Sequence, residues 1–366
     1  MTELDSLVIL NAISGLGPIR IKELLSYFSS AKEVLSASKK EILSLKRIPE
    51  NVVKNILEFR QDEFLEKEHA LIKKHDVNIC VISQKQFPKN LKNIIDSPIV
   101  LYVKGTFDPV DANAVSIVGS RRASIYGISM AEKFSMQLSD FGITVVSGMA
   151  RGIDSAAHRG ALRAKGRTIA VLGSGIAHIY PPENKELAQS ISGSGAVISE
   201  FPMTTKPLAV NFPRRNRIVS GLSLGVIVVE AAKRSGALIT SDFALEQGRE
   251  VFAIPGKVDM PSAQGTNNLI KQGAKLVTSV EDILEELQVD LKNARVKIIE
   301  SNDQISLKEL SDVEQKIFGQ ISSKALHLDQ ILEKTGLSIS QISLGLLSLE
   351  LKRLIKQLPG KLFVRT

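Results

Sequence analysis

Three observations predict a doubly wound α/β fold, with a small helical domain before it and a winged-helix-like domain after it. Between residues 76 and 290, short apolar runs alternate with helical stretches. Before residue 76 no strand pattern occurs, and beyond residue 306 the pattern returns to helices and ends on a hairpin. Alternating strands and helices make a mostly parallel sheet covered on both faces.

Residues 1–75 carry apolar side chains at three- and four-residue spacing, as in Ile21, Leu24, Leu25 and Phe28, which predicts helices. Gly15-Leu16-Gly17-Pro18-Ile19 precedes one of them and is similar to the turn of a helix-hairpin-helix element. Its amides suit a phosphate, although Gly and Pro at a helix start serve plain packing equally well. A helical domain of SAM or helix-hairpin-helix type is expected here.

From 76 to 290 the predicted strands are Val77–Ile82, Val115–Val118, Thr144–Val146, Thr168–Leu172, Ala196–Ile198, Gly225–Val229 and Val251–Ile254. Most are too apolar for a half-exposed strand, as a doubly covered sheet requires. Residues 291–306 are polar and read as a linker. The segment 307–366 holds helical runs at about 312–321, 327–335 and 339–352, then two short strands around Pro359-Gly360. Three helices and a hairpin in that order form a winged helix-turn-helix.

The 366 residues carry a net charge of +8 and a pI near 9.4, which admits polyanionic partners without choosing among them. Tryptophan is absent and only 17 residues are aromatic, so a surface of many stacking platforms is excluded. The single cysteine, Cys80, sits in an apolar run, which excludes an intramolecular disulfide and a cysteine-rich metal site. The N-terminus lacks signal-peptide character and no stretch suits a bilayer span, so a cytoplasmic protein without membrane insertion is expected.

Five segments carry the chemistry. They are Val118-Gly119-Ser120-Arg121-Arg122, Ser147-Gly148-Met149-Ala150-Arg151-Gly152-Ile153-Asp154, Gly173-Ser174-Gly175 with Tyr180, Asn211-Phe212-Pro213-Arg214-Arg215-Asn216-Arg217, and Lys233-Arg234-Ser235-Gly236 with Thr240. Each follows a predicted strand. In a doubly wound sheet the strand C-termini share one edge, so these loops would present helix N-terminal amides and arginines to anions there. Between residues 111 and 260 there are 17 Lys and Arg against 12 Asp and Glu. No G-x-G-x-x-G follows a strand and no GxxxxGK[ST] occurs, so neither a dinucleotide cofactor nor a Walker loop is expected.

Asp154, His158, Glu230 and Glu246 are candidate acid-base groups. The favoured reading of Asp154 is nevertheless a first-turn cap, and that of His158 helix-surface packing. The five histidines have no metal-ligand spacing, and no metal is expected.

These segments, with Ser155-Ala156-Ala157-His158, Ile218-Val219-Ser220-Gly221-Leu222-Ser223, Val229-Glu230-Ala231-Ala232, Ala244-Leu245-Glu246-Gln247-Gly248-Arg249 and Gly265-Thr266-Asn267-Asn268-Leu269-Ile270, resemble the DprA/Smf family of bacterial DNA-processing proteins. The resemblance implies an extended Rossmann-like domain that dimerises and binds single-stranded DNA without base specificity. It also implies loading of the RecA recombinase during natural transformation, without cofactor or catalysis. The loops' own chemistry, in agreement with the resemblance, points to Gly119, Ser120, Arg121, Arg122, Ser147, Gly148, Arg151, Gly152, Phe212, Arg214, Arg215, Asn216, Arg217, Ser235, Gly236 and Thr240 as DNA-binding, with a structural role as the other reading of Arg217, which apolar Ile218 and Val219 follow. Leu269, Ile270 and Leu276 are the expected dimer contact, with core packing as the other reading. Related phosphoribohydrolases carry a glutamate where Phe243 stands here, which weighs against a nucleotide N-glycoside hydrolase resting on Asp154 and Glu246. A regulator that binds duplex DNA through residues 307–366 is the third reading.

Overall fold

The computed structural model describes residues 1–45, 47–287, 310–322, 326–351, 354–358 and 360–365. The linker expected at 291–306 lies outside the described residues. The chain divides into two compact units, Met1–Leu291 and Lys292–Thr366.

The first unit opens with six helices, α1 (Glu3–Ala12), α2 (Pro18–Tyr27), α3 (Ala31–Ser36), α4 (Lys39–Leu43), α5 (Glu50–Leu57) and α6 (Gln61–His75). A capping box between Thr2 and Asp5 starts α1, and a second between Ser38 and Glu41 starts α4. Leu7, Val8, Ile9 and Leu10 are buried on every side of α1, each contributing about 1.5–3 kcal/mol of transfer free energy. Their neighbours include Val100, Tyr102 and Met203, so the N-terminal helices share a core with the sheet. The boundary expected at residue 75 therefore falls inside one compact unit.

The sheet has nine strands, β1 (Asn78–Val81), β2 (Val100–Gly105), β3 (Ala114–Val118), β4 (Thr144–Ser147), β5 (Thr168–Val171), β6 (Ala196–Ser199), β7 (Gly225–Val228), β8 (Glu250–Ala253) and β9 (Lys275–Leu276). Their order is β1-β2-β6-β5-β4-β3-β7-β8-β9, with β2 antiparallel to both its neighbours, β1 and β6, and every other pair parallel. Seven were expected; β2 and the two-residue β9 were not. The intervening helices are α7 (Lys89–Lys92), α8 (Ile125–Asp140), α9 (Ile153–Arg163), α10 (Lys185–Ser194), α11 (Asn211–Gly221), α12 (Gly236–Glu246), α13 (Gln264–Lys271) and α14 (Glu281–Leu287). After β3 the chain winds one way to β4, β5 and β6, then returns to place β7 on the other side of β3. That reversal opens a crevice beyond the C-terminal ends of β3 and β7, where doubly wound sheets bind ligands.

The segment 211–221, expected as a strand-end loop, is a helix. Pro213 stands in its first turn, where its missing N–H removes no helical bond.

The second unit is a winged helix built from α15 (Asp312–Gln320), β10 (Leu326–His327), α16 (Leu328–Thr335), α17 (Ile339–Leu351), β11 (Ile355–Leu358) and β12 (Leu362–Arg365). Its sheet order is β10-β12-β11, antiparallel throughout. Ile317, Ile331, Ile342, Leu349 and Phe363 meet in its separate core. Gly336 ends α16 at φ 65°, the left-handed conformation that glycine adopts without strain.

Candidate functional site

The crevice holds a cavity of about 810 Å³. Gly119, Ser120, Arg121 and Arg122 enter it after β3, and Gly148, Ala150 and Asp154 after β4. Phe212, Arg215 and Asn216 come from α11, Arg234 and Ser235 from the loop after β7, and Gly236 and Thr240 from α12.

Local hydrogen bonds fix these loops. Ser120 N donates to Glu230 O at 2.7 Å, and Arg122 N donates to Ser120 Oγ at 3.1 Å. The buried Glu230 carboxylate accepts from Ser124 N at 3.2 Å and Ser124 Oγ at 2.5 Å, which seats the start of α8. Ser235 caps α12, accepting from Ala237 N at 3.3 Å. Asn216 Nδ2 donates to Gly236 O at 3.3 Å and ties α11 to α12.

Arg215 is 4% exposed. Its Nη1 donates to Val171 O at 2.5 Å, while Nε has no partner among the described residues. Burial lowers its pKa to about 10, against the pull of Asp154. Gly148 leaves room for this guanidinium, which a Cβ at that position would displace. Asp154, in the first turn of α9, accepts from Ala150 N at 3.2 Å. Burial raises its pKa although Arg215 and Arg121 oppose the shift.

Aromatic groups stand beside the cations. The Tyr180 and Phe212 ring centroids are 5.8 Å apart, and the Arg121 guanidinium lies 5.1 Å from the Phe212 centroid. Pro207 and Ala209 also line the cavity, and neither carries a charge by which the sequence could reveal it.

Five expected contacts lie elsewhere. Ser147 is buried and its Oγ donates to Ile117 O at 2.6 Å, so its hydroxyl is committed inside the sheet. Arg151 is exposed and paired with Glu183. Gly152, at φ 71°, lets the start of α9 approach Ser120 O, which a side chain would block. Arg214 is exposed, with its guanidinium 5.3 Å from the Phe201 centroid. Arg217 is buried between Glu200 and Asp96, with Nε 3.2 Å from Asp96 Oδ2 and Nη1 donating to Asp96 O at 2.8 Å.

The loop that carries Glu200 is held from the N-terminal helices. Asn11 Nδ2 donates to Glu200 O at 2.8 Å, and Glu68 Oε1 accepts from Met203 N at 2.9 Å. No sequence signal linked these residues to the site, because the contacts span 189 and 135 positions.

The candidate acid-base groups are not assembled. Glu246 is exposed at the C-terminal end of α12, about 15 Å along the helix from the cavity end. His158 is fully buried rather than on a helix surface. Its Nδ1 lies 2.7 Å from Thr168 Oγ1, whose own hydrogen goes to Val145 O, so the ring donates from Nδ1. Burial and Arg215 lower its pKa to about 3. Among the described residues no cluster suits a metal ion, and no helix is long and apolar enough to cross a membrane.

The expected dimer contact also divides. Leu269 is 7% exposed inside the core and Ile270 packs partly against it, so neither is presented to a partner. Leu276 is 46% exposed on the edge strand β9.

Comparison with known proteins agrees with this architecture. A family model described as DNA recombination-mediator protein A matches residues 78–288. The chain belongs to that family. A second model, for the DprA winged helix domain, matches residues 304–361. Among recombination-mediator A relatives, Protein Smf of Synechocystis sp. is 34% identical over 387 residues, covering 96% of each chain. DNA processing protein DprA of Bacillus subtilis is 46% identical over 219 residues, 60% of this chain and 74% of that one. The X-ray structure of DprA from Streptococcus pneumoniae superposes with a TM-score of 0.65 at 36% identity, covering 78% of this chain and 98% of that one. DNA processing protein A from Helicobacter pylori superposes at 0.52 and 28% identity over 58% and 96%; its structure was solved for its single-stranded DNA binding mode.

In the winged helix of this recombination-mediator A chain, α17 contains no Lys or Arg and exposes Leu344 and Leu347. A helix that enters a DNA groove needs phosphate-contacting cations, so α17 gives the duplex-regulator reading no support.

Proposed function

We propose that the protein binds single-stranded DNA without base preference across this cavity and loads RecA onto the strand during natural transformation. It does so in the cytoplasm as a homodimer, without cofactor, metal or catalysis. The observation that carries the reading is the convergence of Arg121, Arg122, Arg215 and Arg234 with strand-end amides on one cavity. The binding mode reported for the Helicobacter pylori relative supports it. Phosphates would sit among the arginines and amides, and one or two bases against Phe212 and Tyr180. Two copies on one strand gain avidity, because the second contact forms at high effective concentration.

A salt-titrated gel shift with a homopolymeric single strand and the matching duplex tests the reading. The strand should bind more tightly, with a salt slope of about −0.7 per phosphate held, and Arg121→Ala with Arg122→Ala should lower both affinity and slope. Equal duplex affinity, or no loss in the double variant, overturns it. Leu276→Glu should halve the mass seen by light scattering, and RecA filaments should assemble faster on a strand when the protein is present.

A further inference from the structure

We propose that the cavity takes a nucleoside 5′-phosphate monoester as a discrete ligand, either a free nucleotide or the phosphorylated 5′ end of a strand. This deepens the strand-binding reading and rests on it. The volume, about 810 Å³, falls within the range of small-ligand pockets.

Arg215 argues for the phosphate. It lines the cavity 96% buried, with one nitrogen on Val171 O and Nε unpartnered. Nε is sealed from solvent, so a ligand meets the guanidinium where it lines the cavity; among the described residues no carboxylate hydrogen-bonds this charge, and a phosphate oxygen supplies the charged acceptor. Four arginines against one aspartate give the lining a formal +3. Asp154, the carboxylate that offsets Arg215, itself accepts from Ala150 N.

The choice of a monoester over an internal diester follows from charge and shape. A monoester carries between one and a half and two negative charges at neutral pH and offers three terminal oxygens. A diester carries one charge, offers two such oxygens and must lead the chain out twice. Donors surround this cavity on three sides, from the loops after β3 and β4 and the first turn of α12. Beside them, Phe212 and Tyr180, with ring centroids 5.8 Å apart, and Arg121 offer a face on which a base can stack.

Two measurements on the full chain test this. Titration calorimetry of dTMP, thymidine and inorganic phosphate needs no strand. The expected result is one dTMP bound per chain, about tenfold more tightly than either fragment, the effect of one charge-assisted hydrogen bond or one stacked ring. Fluorescence anisotropy then compares 3′-labelled oligo(dT) with a 5′-phosphate or a 5′-hydroxyl, and adds dTMP as competitor. A gain from the 5′-phosphate identifies strand ends as a source of the ligand, and displacement by dTMP alone identifies free nucleotide; either supports the proposal. No dTMP binding together with no 5′-phosphate effect overturns it, even where the strand still binds and the strand reading stands. Phosphate binding as tight as dTMP binding also overturns it, leaving a general anion site. Arg215→Lys, which removes the guanidinium fork, should abolish the preference. Should that variant misfold, Ser235→Ala, at the mouth of α12, should lower dTMP affinity severalfold.

Discussion

Arg215 and Arg217 stand two residues apart on α11, are equally buried at 4% exposure, and do opposite things. Arg217 is saturated, with two carboxylates and a carbonyl around its guanidinium. Arg215 holds one carbonyl and keeps Nε without a partner beside the cavity. Positions i and i+2 of a helix point to different faces, so Arg-Asn-Arg delivers one cation to the body and one to the site. The contrast teaches that a binding cation is recognised by incomplete pairing, not by residue type or exposure.

The largest expected effect breaks the body face. Arg217→Met strands the Glu200 carboxylate in the interior and should destabilise the protein by about 3–5 kcal/mol in denaturant melts, while Arg217→Met with Glu200→Leu should recover most of it. If the single variant melts like wild type, the assigned difference between the faces is wrong. On the site face, Phe212→Ala should weaken oligo(dT) binding by about 1–3 kcal/mol with a smaller change in stability, measured by anisotropy and melting of the same sample.

A third test uses His158, beside Arg215. With its folded pKa near 3, the ring stays neutral while the unfolded chain takes up a proton below its ordinary value of 6.5. Stability is therefore fully present above pH 6.5 and falls with acid by up to about 1.4 kcal/mol per pH unit. His158→Gln should flatten that part of the stability–pH curve. The smallest effect sharpens the link between the body face and the N-terminal helices. Asn11→Ala removes one bond to the Glu200 loop and should cost about 1 kcal/mol in melts, with a slight loss of strand affinity.

The parallel strands were legible because each is an apolar run between helical stretches. The run Ile99 to Val103 is as apolar as the rest, but it follows the one-turn α7 and pairs antiparallel, so no strand–helix rhythm marks it. β9, at two residues, is too short to carry a pattern. Of the site, glycines and arginines after strands were readable, and most line the cavity. What hid was the competing partner. Ser147 is committed to Ile117 O, Arg151 to Glu183 and Arg217 to Asp96 and Glu200, and each partner comes from a distant part of the chain. Leu269 shows the same limit, because a leucine on a short helix reads alike whether it faces a partner or its own core.

The clasp of Asn11 on Glu200 also sets a timetable for folding. The first helix leaves the ribosome about 10–40 s before the loop that completes its packing, at the usual pace of synthesis. Throughout that interval Leu7, Ile9, Ile21 and Leu24 lack the sheet they pack against. That apolar surface waits for the sheet until residue 203 has emerged, so chaperone demand from the N-terminal helices should fall at that point.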